Sequence, residues 1–281
     1  MSGLAPDRIA QAYRASCLAE LDALKPGNVH AFADGHRMQV ADFVTSAAVS
    51  APHVARAGAG IGARVLGGVE ATRAAVSQNT NLGILLLCAP IALAAERGGP
   101  PVDAVRDVLA TLDAADAADV FAAIRLAAPG GLGKAERHDV TVSDAPASLQ
   151  AAMTEAAPRD RIARAYVTGF ADVFAIGLPA LDAARGQGLA PPWSTTAVFL
   201  AYLAQLPDSH VARKHGALQA EALRAEAAAL LSLDLRDAPV AELLAYDRRL
   251  KGANLNPGTS ADFTVATLFL DHVTAETRAA R

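Results

Sequence analysis

Apolar residues in this chain recur at three- and four-residue spacing almost from end to end, and nowhere do they alternate in the two-residue rhythm of a half-buried strand. In the first segment Ile9, Tyr13, Cys17, Leu21 and Leu24 fall on one helical face, with Arg8, Arg14 and Glu20 largely off it. A chain so patterned has to bury stripes of side chains against other helices. Composition supplies the reason. Hydrophobic residues make up 52% of the 281, yet aromatics supply only 5%, so Ala, Leu and Val carry the apolar content. Ala and Leu are strong helix formers, whereas strands draw on β-branched and aromatic side chains. A high apolar share with only 19% charged residues also excludes a disordered chain. The length suits one large domain or two small ones. With no internal repeat, the expectation is a single all-α domain over 1–281.

Helices are expected over 9–24, from Asp42 onward, from Asn81 to about 96, over 102–114, 116–127, 159–176, 193–206, 209–231, 240–250 and 258–272. Glycines at 58, 60, 62, 67 and 68 are expected to bend or interrupt the stretch after the second helix. The most apolar run, 82–95, ends at Glu96 and Arg97 and falls short of the ~18–20 residues that cross a bilayer, so a buried helix is expected. The clearest irregular stretch is 129–146, rich in Gly, charge and turn formers, which reads as a linker or a functional loop. Asp7 and Arg8 arrive too early for a secretory signal, and two cysteines make no disulfide framework. The expected compartment is the cytoplasm. A net charge of −4 argues against a nucleic-acid partner, and no membrane partner is expected.

Polar residues interrupt the helices at four places. The first is Lys25-Pro26-Gly27-Asn28-Val29-His30, followed by Asp34, His36 and Asp42. It has the chemistry to hold phosphate or Mg²⁺, and it reads equally as an ordinary helix stop with Asp42 capping the next helix. The second, Gln78-Asn79-Thr80-Asn81, offers more amide and hydroxyl groups than one cap requires, at a helix mouth whose free N–H groups suit an anion. In the third, Pro207-Asp208-Ser209-His210, Asp208 reads first as an N-cap. Arg213 and Lys214 follow in the first turns, where positive charge opposes the helix dipole and suits an anionic partner or a solvated face. The fourth runs from Asn254 to Asp262. Asn256 and Pro257 make a strong helix start, Gly258 permits close backbone approach, Thr259 and Ser260 offer hydroxyls, and Asp262 stands one turn in.

Other chemistries find no support. Gly130-Gly131-Leu132-Gly133-Lys134 is not a P-loop, because Ala128 stands where the first Gly belongs, Ala135 follows the Lys, and no strand precedes it. Glu136, His138 and Asp139 beyond it are site candidates or a solvated loop. There is no C-x-x-C, no H-E-x-x-H and no G-x-S-x-G, and Cys17 and Cys88 sit in apolar helical contexts.

Taken in order, Lys25 to His30, Asn79 to Gly83, Pro207 to His210 and Asn256 to Asp262 resemble the motifs of the triphosphoribosyl-dephospho-CoA synthase family. The resemblance spans nearly the whole chain. It departs in detail. The family's Asn-Thr-His-Lys-Gly is here Asn79-Thr80-Asn81-Leu82-Gly83, its Asp-Thr-Asn is Asp208-Ser209-His210, and its Pro-Gly-Gly-Ser-Ala-Asp has Thr259 at the second Gly. These variants, with the stretch 123–133, look like a branch found in archaea and methylotrophic bacteria and associated with tetrahydromethanopterin-dependent one-carbon metabolism.

What the resemblance implies is an all-α enzyme that joins the triphosphoribosyl part of ATP to the 2′-hydroxyl of 3′-dephospho-CoA and releases adenine. Breaking the C1′–N bond builds oxocarbenium-like charge, the leaving adenine needs a proton, and the acceptor hydroxyl needs a base. On this reading Lys25, Arg213, Lys214 and the helix mouth from Asn256 through Gly258 and Thr259 to Ser260 receive the triphosphate together with Mg²⁺. Asp208 and Asp262 are the metal or base candidates, His30 is a third catalytic candidate, and Asn28, Asn79, Thr80, Asn81 and Ser209 line the site. The expected partners are ATP and a small nucleotide or cofactor acceptor, in a homodimer. Two alternatives stand beside it: a related nucleotide-dependent enzyme acting on a pterin-pathway intermediate, and a non-catalytic helical binding protein.

Overall fold

The fold follows from a chain that has little but helix to offer. The computed structural model describes residues 3–35, 38–129 and 148–279. Among them it contains fourteen α-helices and no strand, only the isolated bridges His30–Ala33 and Gly35–Met38. The first half holds α1 (Pro6–Asp22), α2 (Val40–Val54), α3 (Ile61–Val76), α4 (Leu82–Arg97), α5 (Pro101–Ala110) and α6 (Ala114–Ala127). After the segment 130–147, which lies outside the described residues, come α7 (Leu149–Ala156), α8 (Arg161–Thr168), α9 (Leu178–Gly186) and α10 (Pro191–Gln205). The chain ends with α11 (Ser209–His215), α12 (Ala217–Leu230), α13 (Val240–Gly252) and α14 (Gly258–Ala279).

The apolar run of the sequence becomes α4, where every residue from Ile84 to Ala94 is buried. It packs against α14, whose stretch from Phe263 to Leu270 is likewise buried, and α1 closes the same layer through Ile9, Tyr13, Cys17 and Leu21. Side chains with no exposed face place these helices at the centre of the fold. A second apolar cluster gathers Phe199, Leu203, Leu223, Leu243 and Leu250 from α10, α12 and α13. Helices α10 and α14 contribute to both clusters, with Val198 and Phe263 in one and Phe199 and Ala261 in the other. No single described helix is long and apolar enough to cross a membrane.

Several boundaries differ from expectation for local reasons. The stretch 209–231 is two helices, because Gly216 adopts φ 90° and ψ 160°, a conformation closed to other residues. The stretch 159–176 breaks after Thr168, turns through Gly169 and Phe170 at positive φ, and continues as a π-helical turn, Val173–Gly177, into α9. The Gly-rich passage does not break α3, whose N-cap is Gly60. Helix α7 had no counterpart in the sequence reading. Asp34 and Asp42 accept from Val40 N (3.0 Å) and Gln39 N (2.8 Å), so both cap α2.

Candidate active site

Three helix mouths open on one cleft of about 1120 Å³, with α4 and α14 at its floor and α8 and α11 along one wall. At the mouth of α4, Asn79 Oδ1 accepts from Leu82 N at 3.2 Å, so one amide does cap the helix. Its neighbours do something else. The Thr80 and Ser46 hydroxyls lie 2.6 Å apart, and Asn81 Nδ2 donates to Thr72 Oγ1 at 3.0 Å. The excess polarity in the sequence therefore ties α4 to α2 and α3 while Asn79, Thr80 and Asn81 still line the cleft. At the mouth of α14, Asn28 Nδ2 donates to Asn256 Oδ1 at 2.8 Å, and Asn28, Asn256 and Gly258 all face the cleft.

Asp262 lines the cleft one turn into α14. Room for its carboxylate exists because residue 83 has no side chain. A Cβ there would stand 2.0 Å from Asp262 Oδ2, so α4 and α14 meet at this point through bare backbone. Among the described residues none donates a hydrogen bond to Asp262. Burial pushes its carboxyl well above the ordinary carboxylate value, with Asp208, Glu20 and Asp160 pushing the same way and Arg213 opposing.

Asp208 looks equivalent in sequence and is not. Its Oδ1 accepts from His210 N (2.9 Å) and Val211 N (3.1 Å), capping α11, and its Oδ2 accepts from Ser260 N (2.8 Å) and Ser260 Oγ (2.9 Å). Burial raises this carboxyl while those four donors pull it back. His210 N also donates to Thr259 Oγ1 at 3.1 Å. Asp208, Thr259 and Ser260 thus stitch α11 to α14 behind the cleft wall, and none of the three lines it. The sequence reading assigned Thr259 and Ser260 to phosphate and Asp208 to a metal or a reacting proton; the structure places all three behind the cleft wall. All four acceptor sites of Asp208 are occupied.

Lys25 and His30, read from sequence as site residues, lie in the same layer. Both are fully buried, and neither lines the cleft. Lys25 Nζ lies 2.8 Å from Glu20 Oε1 and donates to Val29 O at 2.5 Å. His30 Nε2 stands 3.3 Å from Asp247 Oδ1, an oxygen that also accepts from Gly27 N, while Lys251 Nζ sits 3.0 Å from Asp247 Oδ2. Burial lowers the His30 imidazole and favours its neutral form.

The cationic wall is richer than expected. Arg213 and Lys214 line the cleft as anticipated, and Arg159, Arg161 and Arg164 join them from the start of α8. Asp160 organises this wall. Its Oδ1 caps α8 through Ile162 N (2.9 Å) and Ala163 N (3.1 Å), and its Oδ2 receives Arg213 Nη1 at 2.6 Å. Ser209 Oγ, lining the cleft as expected, accepts from Arg161 N at 2.8 Å and locks α8 onto α11. Arg213 Nε is buried with no partner among the described residues. Arg161 and Arg164 crowd the start of α8, which is the signal read from sequence for Arg213 and Lys214. The structure instead places Arg213 and Lys214 in the last turn of the seven-residue α11, where positive charge suits the helix dipole. Glu20 was also missed. It is buried, yet it lines the cleft from the last turn of α1. The opposite side is apolar, with Leu86, Phe121, Ile124, Leu149 and Met153.

Such a cleft can hold an oligophosphate against its cations and an extended or planar group against its apolar side. Among the described residues no three His, Cys, Asp or Glu side chains gather to hold an ion, and both oxygens of Asp208 already accept two hydrogen bonds each. His36 and the segment with Gly133, Lys134, Glu136, His138 and Asp139 lie outside the described residues.

A family model described as ATP:dephospho-CoA triphosphoribosyl transferase matches residues 6–280. Among solved structures, one from Archaeoglobus fulgidus, provisionally described as a triphosphoribosyl-dephospho-CoA synthase, is 23% identical with a TM-score of 0.62. The match covers 80% of this chain and 95% of that one, and at such identity it speaks for the fold. No curated protein matches the chain.

Proposed function

Because the chain belongs to the ATP:dephospho-CoA triphosphoribosyl transferase family, we propose that this cleft is where the triphosphoribosyl group of ATP passes to the 2′-hydroxyl of 3′-dephospho-CoA, with release of adenine. The protein is an ATP-dependent transferase. The observation that carries the placement is Asp262, a cleft carboxyl with no hydrogen-bond donor among the described residues, in a cleft also lined by Arg159, Arg161, Arg164, Arg213 and Lys214.

The triphosphate lies along the cationic wall, where guanidinium groups form short, charge-assisted hydrogen bonds to phosphate oxygens. Arg213 enters this site already oriented by Asp160, which lowers the entropy lost on binding. The ribose then falls near the mouths of α4 and α14. Burial and carboxylate neighbours disfavour the anion of Asp262 and favour its protonated form. Asp262 gives that proton to adenine as the C1′–N bond breaks. Asn28, Asn79, Asn81 and Asn256 supply neutral donors and acceptors around the sugar and the bases. Mg²⁺ enters as part of the nucleotide, bound to its phosphates and water, and requires no protein cage.

Purified protein given ATP, Mg²⁺ and dephospho-CoA is expected to release adenine in step with loss of the acceptor. Release of ADP or AMP instead would refute this chemistry. Replacing dephospho-CoA with a pterin-pathway acceptor tests whether the acceptor side is read correctly.

A further inference from the structure

The transfer needs two proton positions, one for the departing adenine and one for the incoming hydroxyl. Asp262 fills the first on the reading above, and the second is argued here on that same reading. Glu155, Asp160 and Glu221 also line the cleft, and helix α1 brings Glu20 to it beside Asn28. Glu20 sits in the last turn of α1, 4% exposed, on the cleft surface that Asn28 and Asp262 share. Among the described residues only Lys25 pairs with it, through Oε1 at 2.8 Å.

This pair is expensive as a stabilising device. Taking both charges out of water costs several kcal/mol per ion, and apolar residues of the same size commonly do as well. Burial raises the Glu20 carboxyl above the ordinary carboxylate value, and Lys25, the neighbour that opposes that rise, favours its charged form. Lys25 is fixed for the purpose, since its Nζ also donates to Val29 O at 2.5 Å and its whole side chain is buried. Asp262, in the same cleft, has no lysine behind it. Two carboxylates that differ in this way divide naturally into a base and an acid.

We propose that Glu20 is the general base that takes the proton of the acceptor 2′-hydroxyl, with Lys25 as the positioning residue that keeps it charged. The acceptor O–H bond breaks and its proton goes to Glu20. The oxygen forms its bond to C1′ as the C1′–N9 bond breaks, that electron pair stays with adenine, and Asp262 supplies a proton to an adenine ring nitrogen. Glu20 then carries a proton and Asp262 a charge. One proton moving from Glu20 to Asp262, directly or through water, restores both, and the protein neither gains nor loses a proton over the cycle.

The test uses the full chain and adenine release with dephospho-CoA and Mg²⁺-ATP. Glu20→Gln alone leaves Lys25 buried without a partner, so the decisive variant is Glu20→Gln with Lys25→Met, which removes both charges together. It is expected to keep the parental melting temperature and to lose about 100-fold or more in kcat, within the range a general base contributes, with KM for both substrates within about threefold. A smaller loss in kcat, or a loss carried by KM, overturns the proposal. Glu20→Asp keeps the charge for Lys25 but withdraws the oxygen by one methylene. Here kcat is expected to fall about tenfold or more at an unchanged melting temperature, and parental turnover would overturn the proposal. Failure of the parent protein itself to release adenine would instead strike at the transferase reading.

Discussion

The knot around Lys25, His30 and Asp247 and the cleft around Asp262 are made of the same residue types, yet they behave as opposites. In the knot each charged group is used to hold chain. Lys25 grips Glu20 and a carbonyl, and Asp247 gathers Gly27 N, His30 and Lys251. In the cleft the groups are held apart from partners: Asp262 has no donor among the described residues, and Arg213 Nε is buried without one. Asp208 and Asp262 repeat the contrast across two adjoining motifs, with four donors against none among the described residues. Residue type and spacing locate a polar cluster, and access to the cleft together with the partners each group already holds separates Asp262 from Asp208.

The contrast is most exposed at Asp262 itself. Asp262→Asn is expected to keep the fold and lose about 10²–10⁴ in kcat, as removal of a general acid does, and near-parental turnover would erase the distinction between the two regions. Asp208→Ala should act in the other currency. It strands four donors and uncaps α11, so a loss of about 2–4 kcal/mol in unfolding free energy is expected, with activity falling only as the folded fraction falls. Denaturant melts beside turnover per folded molecule separate the two. Gly83→Ala sharpens the geometry, since the new methyl would occupy the space of Asp262 Oδ2. A displacement on the order of 1 Å is expected to cost about 100-fold in kcat, with a secondary effect on stability.

On the cationic wall, Arg213→Ala with Lys214→Ala is expected to raise KM for ATP by about tenfold or more while leaving KM for the acceptor near its parental value. Equal KM values for ATP would return both residues to a solvated face. The smallest effect is the pH dependence of stability. The folded state holds the Asp262 proton more tightly than the unfolded chain does, so its contribution is fully favourable in acid and is lost as pH rises through the folded value. Relative to the parent, Asp262→Asn should therefore gain stability as pH climbs from about 4, the unfolded value, towards neutrality. A difference that stays flat with pH would mean that Asp262 titrates as an ordinary surface carboxyl.

Much of the fold was legible because helix periodicity is a property of each segment. The buried run 82–95 became the central helix α4, and the apolar face Ile9–Tyr13–Cys17–Leu21 is the buried face of α1. The break at Gly216 was not legible, since residues on both sides keep helical composition and only the backbone angle ends the helix. At the site, Asn28, Asn79, Thr80, Asn81, Ser209, Arg213, Lys214, Asn256, Gly258 and Asp262 all reach the cleft. Lys25, His30, Asp208, Thr259 and Ser260 belong to the layer behind it. Spacing in a loop tells which residues share a turn, and the direction each side chain takes depends on donors contributed by distant helices, as Ser260 N is to Asp208. Glu20 escaped notice for a different reason. It lies within a helix, away from any polar cluster, and only the packing of α1 against α14 brings it to the floor of the cleft.

Helix α14 carries a consequence for how the molecule is made. It is the last helix in chain order, yet α1, α4, α10 and α11 all pack against it, and Ser16 Oγ near the start of the chain lies 2.9 Å from His272 Nδ1. On the ribosome the earlier helices must wait, with the trench meant for Phe263, Val265, Phe269 and Val273 open to water. Such a growing chain keeps apolar surface open until α14 arrives, and contacts so far apart in sequence slow folding. The same insertion that closes the core delivers Asp262 to the cleft, so the proposed site is complete only once α14 has docked.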